Sequence, residues 1–262
     1  MVIARVRDHV ANHNWFAVLV DVAIVVLGVF FGTQVNDWNQ RRIEGQQARD
    51  YRARLAEEVD YNARQFAAQT AYYRRARAYG QQALAALEGR ASLSDRDFLI
   101  ATYQLSQTDT TPAKTGIYDE MKSTGLVTRL GDPALQQMVS DYYLGLDASN
   151  RVLTETYPYR TLIREVMPYD LQKAIRDTCG DREVHYKGRL VGVRVVVPCP
   201  VVLDADESRA AVRLIRATPR LRKEMTRYIA SIDEKLDQLI PGIRFSGRVQ
   251  GAVRQAESTE SP

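Results

Sequence analysis

Hydrophobic residues are unevenly distributed along the 262-residue chain, and one stretch near its start is almost wholly apolar. Within 15–35 the only charged residue is Asp21, and every position of 22–31 is apolar or glycine. At the helical rise, a stretch of this length reaches about 30 Å, the hydrocarbon thickness of a bilayer. The pattern predicts a transmembrane anchor over 15–38 that follows a short N-terminal lead over 1–14, with the lipid bilayer as its surroundings.

A cleaved signal peptide and the core helix of a soluble domain are the two alternatives for this stretch. The apolar run leads into Asn36-Asp37-Trp38 and not into a small-x-small cleavage site, and its middle has no polar face. Trp15 and Trp38 are the only tryptophans in the chain, and they flank the run as interfacial anchors do. These features favour a single-pass membrane span.

One face of the predicted span carries Asp21, Val25, Gly28 and Gly32 at helical spacing. The GxxxG spacing allows two membrane helices to approach closely, and a carboxylate facing lipid costs about 2–3 kcal/mol at mid-depth. This face therefore predicts packing against another span, either that of a second copy in a homodimer or that of a partner protein. The alternative is that the glycines are incidental and that Asp21 reaches the lipid headgroups.

The pattern changes after the anchor to apolar residues at every third or fourth position. The stretch 43–87 contains no proline and is rich in good helix formers, which predicts a long helix that either continues through Gly45 and Gly80 or kinks there. We expect its apolar stripe to pack against later helices; the stripe consists of Tyr51, Leu55, Val59, Ala63, Phe66, Thr70 and Tyr73.

Capping residues and prolines divide the rest of the chain into helices. Ser94 predicts a helix to about Gln107, and Gly125 is placed to end a short helix from Tyr118. A polar loop lies between them at 106–115. Caps and prolines delimit the remaining predicted helices as follows: Asp132-Pro133 to Leu146, 150–167 with a disturbance at Pro158, Pro168 to Gly180, Asp204 or Asp206 to Ala217, and Thr218-Pro219 to Pro241-Gly242.

Branched residues interrupt the helical pattern over 182–203. The turn Lys187-Gly188-Arg189 separates Val184-His185-Tyr186 from 190–197, which predicts a β-hairpin.

The predicted fold is therefore mainly α. An N-terminal transmembrane helix continues into a long helix, and a helical bundle domain over 39–245 contains one small β-hairpin. The polar residues of 246–262 predict a disordered tail.

The chain carries a net charge of +4 and has an isoelectric point near 9.0, which raises the question of nucleic-acid binding. Its basic residues are scattered among acidic ones, and the helix that follows Asp132 has no lysine or arginine where a DNA-reading helix needs them. We expect a solvated surface and no nucleic-acid partner.

Cys179 and Cys199 are the only cysteines, and they lie 20 positions apart around the predicted hairpin. An even count at short separation predicts a disulfide, and hence an oxidising compartment; two free thiols in a cytosolic domain are the alternative. With His185 they do not complete a zinc ligand set, so no metal is expected.

Two signals disagree on orientation. Arg5 and Arg7 precede the span, whereas Arg41, Arg42 and Arg49 follow it, which favours a cytoplasmic domain by the positive-inside rule. The cysteine pair favours the opposite side. The charge difference is small, so we give the cysteines more weight and predict a periplasmic domain anchored in the bacterial inner membrane.

Two segments carry specific combinations of residues. In VVLGVFFGTQVNDWNQRR a glycine-containing apolar run leads into Gln34, Val35, Asn36, Asp37, Trp38 and Asn39. The second segment, IYDEMKSTGLVTRLGDPALQQMVSDYY, combines Tyr118, Glu120, Lys122, Ser123, Gly125, Leu135 and the Tyr142-Tyr143 pair. Together the segments cover less than a fifth of the chain.

Both segments resemble an uncharacterised family of bacterial single-span, membrane-anchored proteins that have a GxxxGxQVNxWN-type anchor. The resemblance implies the same layout of anchor and helical domain. It implies no activity, because the family is a domain of unknown function. The positive charge before the anchor is weaker here than the resemblance implies.

No motif for catalysis is present. The histidines are His9, His13 and His185, and the chain lacks both a P-loop and a Gly-x-Ser-x-Gly elbow. The adjacent pairs Asp119-Glu120 and Glu57-Glu58 lie on predicted helices, where neighbours point about 100° apart and do not converge on one site. We expect no catalytic residues and no cofactor, and we assign Tyr118, Lys122 and Ser123 to pinning the turn between two helices.

Three functional hypotheses follow. The first is a membrane-tethered structural or interaction domain that docks an unknown envelope protein. The second is an extracytoplasmic ligand-binding, sensory domain that acts through a partner, since the 14 residues before the span are too few to signal inside. The third is a hydrolase with an unrecognised site. The first makes the fewest demands on the sequence.

Overall fold

The computed structural model describes residues 15–259, except for the side chains of residues 17, 18 and 259. The chain forms two compact units, Met1–Tyr51 and Arg52–Pro262. The predicted lead over 1–14 and the last three residues of the predicted tail lie outside the described residues. The described part is mainly α, with a long N-terminal helix and one two-stranded hairpin, as predicted.

Helix α1 (Trp15–Leu87) begins in the first unit with apolar side chains on all sides. No part of its most apolar window is buried, and Phe31, for example, keeps 62% of its surface exposed. Exposing apolar surface to water costs roughly 25 cal/mol per Å², so the exposure of this segment is unfavourable in water, and the segment is not part of the packed core. The core-helix alternative is therefore wrong. Within the described residues, this is the one helix long and apolar enough to cross a membrane by length and composition.

The second unit contains the remaining elements. Helix α1 is followed in chain order by α2 (Asp95–Leu105), α3 (Gly116–Ser123), a 3-10 helix (Leu126–Arg129), α4 (Pro133–Thr154), α5 (Pro158–Val166), α6 (Tyr169–Cys179), β1 (Arg182–Tyr186), β2 (Arg189–Arg194), α7 (Ala205–Arg216) and α8 (Pro219–Thr259).

The predicted stripe on α1 forms part of the core of the second unit. Periodic apolar residues form a helix because each turn then buries one side chain against the same neighbours. Tyr51, which belongs to the first unit, and Ala63 are half-buried, and the members that are fully buried are Leu55, Val59, Phe66, Thr70 and Tyr73.

Helix α1 continues through both glycines, and Gly80 has a packing role. A Cβ at Gly80 would lie 2.7 Å from Leu105 Cδ1 and 2.9 Å from Ile229 Cγ1. Real Cβ atoms do not approach carbon this closely, since interiors are already packed to contact distance. Gly80 therefore lets α2 and α8 pack directly on the backbone of α1.

The predicted helix starts are confirmed by their caps. The side chain of Ser94 accepts a hydrogen bond from the backbone N of Asp97 at 3.1 Å, and that of Asp132 accepts one from Leu135 N at 2.8 Å. Asp204 caps α7 in the same way. These bonds satisfy amide donors that have no partner within the helix. Gly125, which follows α3, has a φ of +74°, as its predicted role in ending that helix requires.

The prediction of a helix over 150–167 is wrong in its boundaries. Helix α4 runs on to Thr154, and α5 starts at Pro158 after an extended linker. Proline disfavours the helical conformation in the residue before it, and Tyr157 is extended accordingly. Proline also suits the first turn of a helix, so Pro158 begins a helix and does not merely disturb one.

The predicted hairpin is present, with a shorter second strand than expected. Lys187 and Gly188 have φ values of 50° and 73°, the left-handed pair that a two-residue hairpin turn requires. Strand β2 ends at Arg194, whereas the prediction extended it to Val197. The hairpin is fastened to α1, since Tyr186 Oη donates to Asp60 Oδ2 at 2.9 Å.

The predicted end of the last helix at Pro241-Gly242 is wrong, and so is the disordered tail as far as residue 259. Helix α8 passes through Pro241 and continues to Thr259, with Val249 and Val253 fully buried. An interior proline costs about 3 kcal/mol. Burial of two valines returns about 1.5–3 kcal/mol each, and Gly242 packs against the ring of Phe66.

Candidate functional site

The predicted disulfide between Cys179 and Cys199 is confirmed. The two cysteines are bonded, with their Cα atoms 5.3 Å apart, and both are buried. Cys179 is the last residue of α6, whereas Cys199 lies in 195–203, a segment that follows β2 and has no regular secondary structure. The bond therefore fastens this segment to the end of a helix.

Arg96 on α2 is a second anchor for the same segment. Its Nε donates to the carbonyl of Val201 at 2.7 Å, and its Nη2 donates to the carbonyl of Cys199. Its Nη1 donates to Asp97 Oδ1 at 2.6 Å. One guanidinium thus satisfies two carbonyls that no strand or helix serves.

Polar groups also hold the other end of the disulfide. Gln104 Nε2 donates to the carbonyl of Cys179 at 2.7 Å, and Tyr72 Oη donates to Asp181 Oδ2 at 3.0 Å. Burial raises the pKa of the Asp181 carboxyl group above its ordinary value, although the hydrogen bond from Tyr72 opposes this shift.

The anchored segment forms one wall of an open cleft, which we call the disulfide cleft. Helix α1 and the start of α2 form the other walls, and the volume is about 540 Å³. Pockets that bind small molecules commonly enclose about 300–1,000 Å³. The apolar part of the lining consists of Ala78, Leu93, Ile100, Val197, Pro198 and Cys199.

Polar groups enter the disulfide cleft from two helices. Arg75, Tyr79 and Gln82 lie on one face of α1 at successive turns, and Arg96 and Asp97 come from α2. Partial burial raises the pKa of Tyr79, while the charge of Arg75 acts in the opposite direction. A cleft that combines apolar walls with polar groups is typical of ligand-binding sites.

A ladder of buried amides, missed in the sequence, lies elsewhere on α1. Asn62 exchanges two hydrogen bonds of 2.8 Å with the backbone of Lys114, and Gln65 and Gln69 donate to the carbonyl of Thr111 at 2.6 and 3.0 Å. These side chains hold the loop 106–115 against the helix. The available signal was the helical spacing of the three amides within the apolar stripe.

Lys235 on α8 is a buried cation that sequence reasoning also missed. Its Nζ donates to the carbonyl of Leu153 at 2.7 Å, in the last turn of α4, and lies 5.4 Å from the ring centroid of Tyr73. Burial lowers the pKa of Lys235 from 10.5 to about 8. A positive charge near helix C-terminal carbonyls is favourable, which partly offsets its desolvation.

The residues of the second family-like segment form a junction between three helices. Tyr118 stacks on Tyr143 of α4 with ring centroids 4.1 Å apart, and Glu120 pairs with Arg54 of α1 at 2.7 Å. Lys122 Nζ lies 5.6 Å from the Tyr118 ring centroid, and Ser123 Oγ donates to the carbonyl of Glu120. With Gly125 ending α3, this arrangement favours a structural role at the turn.

The residues assigned to the membrane helix and its ends are exposed. Within the described residues, a Cβ at Gly28 or Gly32 would meet nothing within 4 Å. The same helix exposes the other residues of this group, which are Asp21, Trp15, Trp38, Asn36 and Asn39. Their predicted roles in helix packing and interfacial anchoring therefore stay predictions.

No metal site is formed among the described residues, which contain no group of three or more potential ligands. His185 lies in β1 with its Nε2 3.3 Å from Glu183 Oε2. His9 and His13 lie outside the described residues.

Comparison of the chain with family models, with curated proteins and with solved structures gives no match. The resemblance to a family of single-span bacterial proteins therefore stays a prediction.

Proposed function

We propose that this chain is a single-pass protein of the bacterial inner membrane whose helical domain lies in the periplasm and docks another envelope protein. The observation that carries this proposal is the exposed apolar segment of α1 in a chain whose domain contains a disulfide. The apolar segment accounts for the anchor, and disulfides persist in oxidising compartments.

The anchor is distinguished from a cleaved signal peptide by extraction and mass. The full chain with a C-terminal tag should stay in the membrane pellet after alkaline carbonate treatment and retain its full mass. Arginine at the centre of a span costs about 2.5–3.5 kcal/mol. Replacing both Val26 and Val29 with arginine should therefore release the protein, whereas leucine at both sites should not. A shorter, soluble wild-type product would contradict the anchor.

Self-association through the span is the simplest form of docking, and the exposed glycines support it. Gly28→Leu and Gly32→Leu should each reduce crosslinking between copies in membranes, because the larger side chain keeps two helices apart. Val26→Leu is the matched control. Equal crosslinking in all three variants would exclude this interface.

A second function, extracytoplasmic ligand binding, is favoured by the disulfide cleft. Binding to the folded state raises the melting temperature of the domain. A ligand of the cleft should do so for the wild type and not for Ala78→Trp, which fills the cleft. Ala71→Trp is the control, because Ala71 is exposed on the same helix and does not line the cleft. An equal rise in both variants would place the ligand elsewhere.

A further inference from the structure

The charges that line the disulfide cleft do not cancel. They are Arg75, Arg96 and Asp97, which leaves one net positive charge. Arg96 is neutralised by Asp97, and the other carboxylate oxygen of Asp97 accepts a hydrogen bond from Ser94 Oγ at 2.7 Å. Both members of this pair are thus committed to holding the wall.

Arg75 supplies the remaining charge. Among the residues that the structure describes, no acidic side chain forms an ion pair with it, and its guanidinium has no hydrogen-bond partner. Tyr79 and Gln82 follow it at intervals of one turn on the same helix face. Their hydroxyl and amide groups supply further neutral donors at the same side of the cleft.

We propose that the disulfide cleft binds an organic monocarboxylate with an apolar body, and that Arg75 is the residue that binds the carboxylate. This inference rests on the ligand-binding function proposed above. A single uncompensated guanidinium matches a single negative charge, and its planar fork donates two parallel hydrogen bonds to a carboxylate.

The apolar lining defines the other part of the ligand. Leu93 and Ile100 come from α2 and the residues before it, and Val197 and Pro198 come from the anchored segment, so a hydrocarbon or aromatic group in contact with them is removed from water. A small, strongly hydrated anion gains nothing from these walls. The carboxylate therefore needs an apolar body of a size that fits the cleft.

This chemistry has two sources: a free organic acid and the carboxyl terminus of an apolar peptide. Suitable probes are 4-phenylbutyrate and the peptide acetyl-Ala-Leu-Phe with a free carboxyl group. Each is matched by its carboxamide, which keeps the apolar body and loses the charge. Isothermal titration of the full chain in lipid nanodiscs, with empty nanodiscs as blank, measures binding to the protein alone.

We expect at least one acid to bind and its amide to bind at least about tenfold more weakly, since hydrogen bonds to charged groups are the strong ones. The probe that binds, 4-phenylbutyrate or the peptide, identifies which of the two sources the cleft recognises. Arg75→Gln should weaken binding of the acid by a similar factor, and Arg75→Lys should restore part of it. Arg74→Gln, at an exposed neighbour that does not line the cleft, should change nothing.

Three outcomes would overturn the proposal: an amide that binds as well as its acid, equal losses in Arg74→Gln and Arg75→Gln, or no binding of either acid to the wild type. None of these outcomes affects the anchor, because carbonate extraction tests it separately. Arg75 is exposed, so its variants should unfold like the wild type, and a melting curve of each variant checks this.

Discussion

Removal of the disulfide should destabilise the domain by an amount that follows from the loop it closes. The bond joins residues 20 positions apart and stops the unfolded chain from exploring conformations in which they separate. In the chain-entropy account a loop of this size is worth about 3 kcal/mol at 25 °C. The perturbation is the double replacement Cys179→Ser with Cys199→Ser.

The folded domain should survive this change. Arg96 still holds the carbonyls of Cys199 and Val201, and the helical core does not depend on the bond. The effect should therefore fall on the unfolded state. Urea unfolding of the full chain in nanodiscs, followed by circular dichroism at 222 nm, gives the free energy of unfolding and its dependence on denaturant.

Reduced wild type should match the double serine variant, and reductant should have no effect on that variant. A loss of less than about 1 kcal/mol would contradict this prediction, since it would mean that the unfolded chain gains little freedom from the missing bond. Loss of helical signal before any urea is added would refute it in another way, because the bond would then be required for the folded state itself.

Three further predictions concern the core. Burial lowers the pKa of Lys235 from 10.5 to about 8, so between these pH values the unfolded chain holds a proton that the folded chain has released. The stability of the wild type relative to Lys235→Met should therefore rise by roughly 2–3 kcal/mol from pH 8 to 10.5. A constant difference between the two proteins in urea titrations would contradict this. Gly80→Ala should lower the melting temperature, because overpacking at this site costs about 1–3 kcal/mol. Gly145→Ala should stabilise helix α4 by about 0.5–1 kcal/mol, because its new Cβ has nothing within 4 Å. Equal effects of the two substitutions would contradict the close packing at Gly80. Val249→Ala and Val253→Ala should each cost about 1–3 kcal/mol in urea unfolding, and no loss would mean that the end of α8 is not part of the core.

Local signals in the sequence predict much of the fold. Ser94, Asp132 and Asp204 cap helices because their side chains satisfy amides a few residues away, and such bonds depend on nothing distant. Whether the last helix continues through Pro241 depends on contacts with residues that are distant in the sequence. Burial of Val249 and Val253 against the rest of the domain outweighs the lost hydrogen bond, and a single sequence does not contain that information.

The disulfide cleft could be predicted only in part. The cysteine count and spacing indicate the bond, because only one pairing is possible. The cleft itself joins 75–82, 93–100 and 197–199, which are separated along the chain and meet only in the folded domain. Arg75 looks like any solvated arginine in the sequence, and its proposed role rests on its place in the lining of the cleft and on the absence of an ion-pair partner among the described residues.

Orientation in the membrane is the most direct test of the proposed periplasmic location of the domain. Two variants are made in the double serine background, each with a single thiol. Val202→Cys places it at a domain position that is 90% exposed, and Ala11→Cys places it before the span. Intact cells are treated with a membrane-impermeant maleimide, and the remaining thiols are counted after lysis. If the domain is periplasmic, the thiol at 202 reacts in intact cells and the thiol at 11 reacts only after lysis. The reverse pattern would put the domain in the cytoplasm and contradict the proposed function.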